Sequence, residues 1–153
     1  MALPAERERQ RSEPSAGAAR DRPLPWFEPG LRFACQRCGG CCSGEPGVVW
    51  VDGEEIAALA ACLSLSSAEF ERKYVRRSGL RRRLYEWPNG DCVLFDGEQR
   101  ICTAYAARPE QCRRWPFWPR NVESAAAWRR VAKRCAGCDR GALVPSERIE
   151  RMA

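Results

Sequence analysis

Four cysteines fall within the eight residues CQRCGGCC, which run from Cys35 to Cys42. The C-x2-C-x2-C spacing lets a loop curl so that successive sulfur atoms face one centre. Such spacing is typical of chains that bind a metal ion or an iron–sulfur cluster. The segment therefore predicts a metal site, whose remaining ligands must come from elsewhere in the chain.

The chain contains ten cysteines and no histidine. Without imidazole, Ser-His-Asp and Cys-His catalysis are excluded in their usual form, as are catalytic zinc sites built on histidine. Thiolate ligands select zinc, iron–sulfur clusters or Cu(I) over magnesium or calcium. No general base stands out among the scattered Asp and Glu residues. An independent enzyme is therefore disfavoured.

The cellular compartment decides whether ten cysteines form disulfides. The first thirty residues lack the apolar core of a secretory signal, and their five acidic residues are atypical of a transit peptide. No apolar run is long enough to cross a membrane. We therefore expect a soluble, cytoplasmic protein, in which a reducing environment favours metal ligation over disulfides.

The length of 153 residues suits one domain. Residues 1–30 are rich in Pro, Ala, Arg and Glu, which predicts a disordered N-terminal tail. Residues 31–141 contain all ten cysteines. We expect them to form the metal-binding domain, with residues 142–153 as a C-terminal extension that forms a short helix.

Two capping-box patterns predict two short helices. Asp52 and Glu55 precede apolar residues at helical spacing, which predicts a helix over about residues 53–63. Ser66 and Glu69 repeat the pattern at the start of a second helix. Cys62 lies on the first helix, away from the other thiols, and is expected to be a small buried hydrophobe.

After the two predicted helices, apolar runs separated by turn residues predict β-strands. Asn89-Gly90 between apolar runs predicts a hairpin, which carries Cys92 near its turn and Cys102 near the end of the following strand. The predicted fold class is therefore α+β: a small irregular metal-centred domain of short helices and one antiparallel β-hairpin.

Two further cysteines follow short helical segments. Pro109 can open a helical turn that carries Cys112, and the prolines of WPFWP are expected to end regular structure. A last helix over about residues 123–134 delivers Cys135 at its end. The aromatic residues of WPFW are expected to anchor the core, with an apolar lid over the metal as the alternative.

Arginine is concentrated in two places. The basic segment between Arg72 and Arg83 is read as a linker before the strands, within a chain of net charge +6. No nucleic-acid module accompanies it, so a solvated or partner-facing surface is favoured over nucleic-acid binding. Arg113 and Arg114 beside Cys112 are hypothesised to lower its thiol pKa or to neutralise an anionic cluster.

Several motifs, separated along the chain, resemble the motifs of one family and occur in the same order. FACQRCGGCC, VVWVDGEEIAALA, NGDCVLF, ICTAYAARPEQCRRWPFWP and the late Cys135-x-Gly137 are similar to the YkgJ family of cysteine-cluster proteins, also described as CxxCxxCC zinc- or iron-chelating domains. The resemblance covers about residues 31–141 and implies a small domain that binds a metal or an iron–sulfur cluster. If the chain were an enzyme, the resemblance implies that it would be an iron–sulfur oxidoreductase. The resemblance leaves Cys62 and Cys138 outside the pattern. The metal ligands it implies are Cys35, Cys38, Cys41, Cys42, Cys92, Cys102, Cys112 and Cys135.

The ligand assignment stays open. A ferredoxin-type loop would have its fourth cysteine at position 45, which is Glu45 here. Cys42 is an awkward substitute, because the side chains of adjacent residues tend to diverge and would more easily serve two centres. Eight thiols would satisfy two four-thiolate sites, or one cluster with spare thiols.

Two functional classes remain open. The favoured one is a protein that holds an iron–sulfur cluster or iron and acts in electron transfer, redox sensing or metal handling, with an unknown protein or redox partner. The alternative is a protein stapled by structural zinc whose surface is an interaction module, for an acidic partner or nucleic acid.

Overall fold

A computed structural model describes residues 25–44 and 47–153 of the chain. Its strands are β1 (Gly30–Phe33), β2 (Trp50–Val51), β3 (Val75–Ser78), β4 (Arg81–Leu84), β5 (Phe95–Asp96), β6 (Ile101–Cys102) and β7 (Cys138–Pro145). Its α-helices are α1 (Gly53–Cys62), α2 (Ser67–Tyr74), α3 (Glu110–Arg113), α4 (Pro119–Val122), α5 (Ala125–Ala132) and α6 (Ser146–Met152), and a 3-10 turn spans Tyr105–Ala107. Most of the predicted tail, residues 1–24, lies outside the described residues.

The strands of the described residues form three small antiparallel sheets. β1 pairs with β7, β4 lies between β2 and β3, and β5 pairs with β6. Together with the short helices, these sheets confirm the predicted α+β class. Because each sheet is small, much of the chain is loop, and most of the cysteines lie in those loops or at element ends.

The basic segment is not a linker, as the sequence analysis expected, because it forms most of a hairpin. Val75 at the start of β3 pairs with Leu84 at the end of β4, and both side chains are buried. These apolar ends fix the strands against the core, so the arginines between them lie on the outer part of the hairpin.

The predicted turn at Asn89-Gly90 is present, but the strands around it are hardly paired. The Gly90 N–H donates to the Trp87 carbonyl oxygen at 2.9 Å, and a single bridge joins Glu86 to Cys92. Regular pairing resumes in β5 and β6, where Cys102 ends β6 as predicted.

Both capping boxes are confirmed. Asp52 accepts a hydrogen bond from the Glu55 N–H at 2.8 Å, and the Glu55 carboxylate accepts one from the Asp52 N–H at 3.1 Å. Ser66 and Glu69 make the same reciprocal pair before α2. These bonds satisfy N–H groups that have no partner inside a helix, so they fix where α1 and α2 begin.

The core consists of two separate apolar clusters. The first lies between α1, α2 and the strands around them: Val51, Ile56, Leu59, Ala60, Phe70, Val75, Leu84, Leu94 and Ala104. The second lies between the C-terminal helices and the sheet of β1 and β7: Phe27, Phe117, Val122, Trp128, Val131, Cys135, Cys138 and Ile149. Phe27 belongs to the stretch that the sequence analysis assigned to the tail, and Phe117 is the core anchor that was expected.

Cys62 is exposed, so the prediction that it is buried is wrong. It is the last residue of α1, whose buried face is formed by Ile56, Leu59 and Ala60. Cys62 lies away from the other thiols, which makes it a useful control position.

The C-terminal elements follow the expected order with two differences. The strand β7 (Cys138–Pro145) was not predicted, and it takes up the start of the expected C-terminal extension. Pro119 begins α4 instead of ending regular structure, because proline is well suited to the first position of a helix. Cys135 follows the end of α5, and α6 is the predicted short terminal helix, with Ile149 fully buried. None of the helices in the described ranges is long and apolar enough to cross a membrane.

The capping box of α1 can be tested by substitution. Asp52→Ala removes the acceptor for the Glu55 N–H and should lower the free energy of unfolding by about 1 kcal/mol in chemical denaturation. Asp52→Asn keeps an N-cap acceptor without the charge and should stay close to wild type. An equal loss in both variants would show that the charge of Asp52 matters and the cap does not.

Candidate metal centre

A small cavity gathers most of the predicted ligands. It has a volume of about 130 Å³ and lies where the cysteine loop meets β6 and the end of α5. No Asp or Glu is among the described residues that line it, so its metal-binding atoms are sulfur. Six of the eight predicted ligands line it: Cys35, Cys38, Cys41, Cys42, Cys102 and Cys135.

The loop that carries four of these thiols is held in a tight turn. The Cys42 N–H donates to the Gly39 carbonyl oxygen at 2.9 Å. Gly39 has φ +71°, and a Cβ there would lie 2.3 Å from a ring carbon of Phe95. Only glycine combines that backbone conformation with so close an approach.

The turn brings Cys41 and Cys42 together. Their sulfur atoms are 3.8 Å apart, so the expectation that adjacent cysteines diverge towards different centres is wrong here. The pKa of Cys42 is raised because its thiol donates hydrogen bonds to Cys102 and then to Cys41, and because it is partly buried. The three sulfurs therefore form one hydrogen-bonded group.

The turn after Asn89-Gly90 supports the same loop. The Cys92 N–H donates to the Cys42 carbonyl oxygen at 2.8 Å, and Asp91 accepts from the Gly44 N–H at 3.2 Å. Cys92 itself lines a neighbouring cavity of about 520 Å³, together with Cys41 and Cys42. Cys92 thus lies beside the main group of thiols without lining the small cavity.

Cys112 is positioned by a contact between two helices. Pro109 precedes α3 and offers no side-chain cap, and the Glu55 carboxylate instead accepts from the Glu110 N–H at 2.8 Å. Glu55 therefore ties the start of α1 to the start of α3. Cys112 is half-buried on α3, as predicted, and lines neither of the two cavities.

The electrostatics of Cys112 contradict one of the two hypothesised roles of Arg113 and Arg114, which is to lower its thiol pKa. Its pKa is raised to about 12, first by burial and then by the charges of Cys92 and other nearby thiols. Arg113 is exposed and Arg114 pairs with Glu110, so neither lowers the pKa. The arginine that does oppose the rise is Arg108.

Two arginines that sequence reasoning missed flank the small cavity. The guanidinium groups of Arg37 and Arg108 lie 4.4 Å and 3.5 Å from the ring centroid of Tyr105, and all three residues line the cavity. The Cys102 pKa is lowered to about 7, mainly by the hydrogen bond from Cys42, with Arg108 contributing. Arg37 could have been noticed, since it lies directly before Cys38 in the sequence, whereas no adjacent cysteine signalled Arg108.

Cys135 is a predicted ligand whose surroundings favour the thiolate form. The Trp115 indole N–H points to its sulfur at 3.5 Å. Its pKa is lowered to about 5, first by a hydrogen bond from the Cys138 thiol and then by Trp115 and the N–H groups of Gly137 and Cys138, against partial burial. Cys138 was missed as a site residue, although its C-x2-C spacing from Cys135 is visible in the sequence.

Backbone N–H groups recur as partners of the sulfurs. In three cases the cysteine sulfur accepts a hydrogen bond from the N–H two residues later: Cys92 from Leu94, Cys102 from Ala104 and Cys135 from Gly137. Hydrogen bonds to the charged form of a group favour that form. The loops are therefore built to stabilise thiolates, which are the metal-binding form of cysteine.

The sulfurs surround the cavity without already converging on one point. Within residues 25–44 and 47–153, no group of three or more Cys, Asp or Glu side chains is arranged to hold a metal ion. The donor set nevertheless fits a soft metal, since the small cavity offers thiols and no carboxylate. Metal binding there requires side chains to turn inward from the cavity wall.

A family model matches residues 34–141 of the chain. Its description is "CxxCxxCC: Putative zinc- or iron-chelating domain". The matched range contains all eight predicted ligands as well as Cys62 and Cys138. No solved structure matches the chain.

Alkylation of the metal-free, reduced protein tests the electrostatics of the thiols. Cys102, with its pKa lowered to about 7, should react with iodoacetamide at a rate that rises through pH 7 and then levels off. Cys92 is the matched control, because it is also half-buried but has its pKa raised to about 11, chiefly by burial. Its rate should keep rising to about that pH. Peptide mapping by mass spectrometry measures both rates, and identical pH profiles would contradict the assignment.

Proposed function

The chain belongs to the CxxCxxCC family of zinc- or iron-chelating domains, and from this we propose that it binds an iron–sulfur cluster, or iron, through cysteine thiolates. The role that follows is redox transfer, redox sensing or metal handling. The observation that carries the proposal is the small cavity lined by six cysteines and no carboxylate. Soft thiolate donors of this kind select iron–sulfur clusters or zinc over harder cations.

Two features of the cavity favour a cluster. N–H groups reach the sulfurs of Cys102 and Cys135, which line the cavity, and hydrogen bonds to sulfur help to set the reduction potential of a cluster. Arg37 and Arg108 place positive charge at the wall, where it would compensate for an anionic group bound by thiolates. A cluster bound here would supply one-electron transfer.

The cavity wall has a dry side and an exposed side. Phe33 and Trp115 form part of the wall and pack against the second apolar cluster, which limits the access of water to the sulfurs. Cys35 and Cys41, in contrast, are exposed. A redox or metal-exchange partner would therefore approach from the side of the cysteine loop.

Structural zinc is the alternative, and the position of the thiols between two apolar clusters favours it. Cys92 and Cys102 pack against the first cluster, and Cys135 and Cys138 belong to the second. A zinc ion held by these loops would link the two apolar clusters. Small domains often need such a bound metal ion to stabilise the fold. The function would then lie on the surface.

One surface feature is consistent with that alternative. In hairpin β3–β4, Arg76 lies opposite Arg83 and Arg77 lies opposite Arg82, and like charges in such pairs repel. Arg82 is neutralised by Glu71, and the Arg76 guanidinium stacks over the Tyr85 ring. The remaining positive charge would be relieved by an acidic partner. The fully exposed Leu80 at the hairpin tip would add an apolar contact.

Metal analysis of the protein purified without oxygen tests the proposal. Iron and acid-labile sulfide should be present in matching amounts, with visible absorption. Cys41→Ser should lose most of the iron, because Cys41 lines both thiol-lined cavities. Cys62→Ser should keep it, because Cys62 is exposed on α1 and apart from the site.

The outcomes separate the two functions. A colourless protein with stoichiometric zinc and no sulfide would exclude the cluster and support the zinc-stapled module. Equal iron content in Cys41→Ser and wild type would contradict the assignment of this cavity as the site.

A further inference from the structure

Cys138 is a buried thiol that the family resemblance leaves without a role. It is the first residue of β7 and only 6% exposed. With Cys135 it forms a C-x2-C pair, and Cys35 and Cys38 form another. Two such pairs are the ligand pattern of structural four-thiolate zinc sites.

The sheet of β1 and β7 brings the two pairs side by side. Phe33 is opposite Cys138 in the register, and the Ala34 N–H donates to the Gly137 carbonyl oxygen at 3.1 Å. Cys35 directly follows Ala34, so it lies next to a residue that is hydrogen-bonded to the turn between Cys135 and Cys138. A Cβ at Gly137 would lie 2.4 Å from the Ala34 carbonyl oxygen, so glycine is needed for this close approach.

The turn of the second pair places its two sulfurs together. The Cys138 N–H donates to the Cys135 carbonyl oxygen at 3.1 Å, which closes the turn. The Cys138 thiol donates to the Cys135 sulfur, which also accepts from the Gly137 N–H. Cys35, Cys38 and Cys135 all line the small cavity. The fourth thiol, Cys138, donates a hydrogen bond to the Cys135 sulfur.

The other five thiols form a second group, three members of which line the same small cavity. Cys41 and Cys42 lie 3.8 Å apart, and Cys42 bonds to Cys102. The charges of Cys41 and Cys102 raise the pKa values of Cys92 and Cys112, and the charge of Cys92 also raises that of Cys112. Five thiols remain there, which is enough for an iron–sulfur cluster without any ligand from the two C-x2-C pairs.

We propose that Cys35, Cys38, Cys135 and Cys138 bind a structural zinc ion, and that the cluster of the proposed function is held by the other group. Cys138 is then a metal ligand. On binding, each of the four cysteines that is still protonated releases its proton to solvent, and all four sulfurs donate to Zn²⁺. The inference deepens the proposed function by dividing the thiols between two neighbouring centres.

The test uses the full chain, produced with zinc and iron in the medium and purified without oxygen. Zinc, iron and acid-labile sulfide are measured in the wild type and in variants. The wild type should contain one zinc per chain in addition to the iron. Cys138→Ala should lose the zinc and keep the iron and sulfide, whereas the control Cys62→Ala should keep all three.

A second variant covers the case in which a change at buried Cys138 unfolds the protein. Cys35 is exposed, so Cys35→Ser should fold, as judged by circular dichroism, and should also lose the zinc while keeping the iron. Loss of iron from Cys35→Ser with zinc unchanged would overturn the inference. So would a wild type without zinc, or a folded Cys138→Ala that keeps its zinc.

The zinc measurement tests this inference, and the iron and sulfide measurements test the proposed function, so either can fail without the other. Absence of iron and sulfide from the wild type would refute the cluster of the proposed function. A zinc content that still depended on Cys138 and Cys35 would sustain the inference in that case.

Discussion

The rest of the structure depends on a group of thiols placed between two apolar clusters, each too small to be a strong core alone. Cys92 and Cys102 adjoin the first cluster, and Cys135 and Cys138 are part of the second. The cysteine loop lies between them and bonds to the turn that carries Cys92. A metal bound by these sulfurs would therefore link the two clusters, so metal binding and stability are coupled.

Thiolates close together repel one another, and the fold reduces that repulsion in two ways. Backbone N–H groups point to the sulfurs of Cys92, Cys102 and Cys135, and the Trp115 indole N–H adds to those at Cys135. Arg108 supplies positive charge next to Cys102. Cys102 and Cys135, whose pKa values are lowered to about 7 and about 5, can ionise near neutral pH at low cost, which prepares them to accept a metal.

The sequence predicted what depends on local patterns and missed what depends on contacts between distant segments. The capping boxes at Asp52 and Ser66 predicted two helices, and the thiol spacing predicted the loop whose four cysteines line the small cavity. The β3–β4 hairpin was missed because its apolar ends, Val75 and Leu84, are separated by a run of charge. The role of Arg108 was missed because its nearness to Cys102 arises only when the 3-10 turn folds back beside β6.

The central claim is that the metal is held by cysteine sulfur alone. X-ray absorption spectroscopy at the zinc and iron edges of the protein as purified tests it directly, because the spectra report the elements in the first coordination shell. The account predicts sulfur as the only light neighbour of each metal, at about 2.3 Å for zinc. A shell containing oxygen or nitrogen at about 2.0–2.2 Å would contradict it.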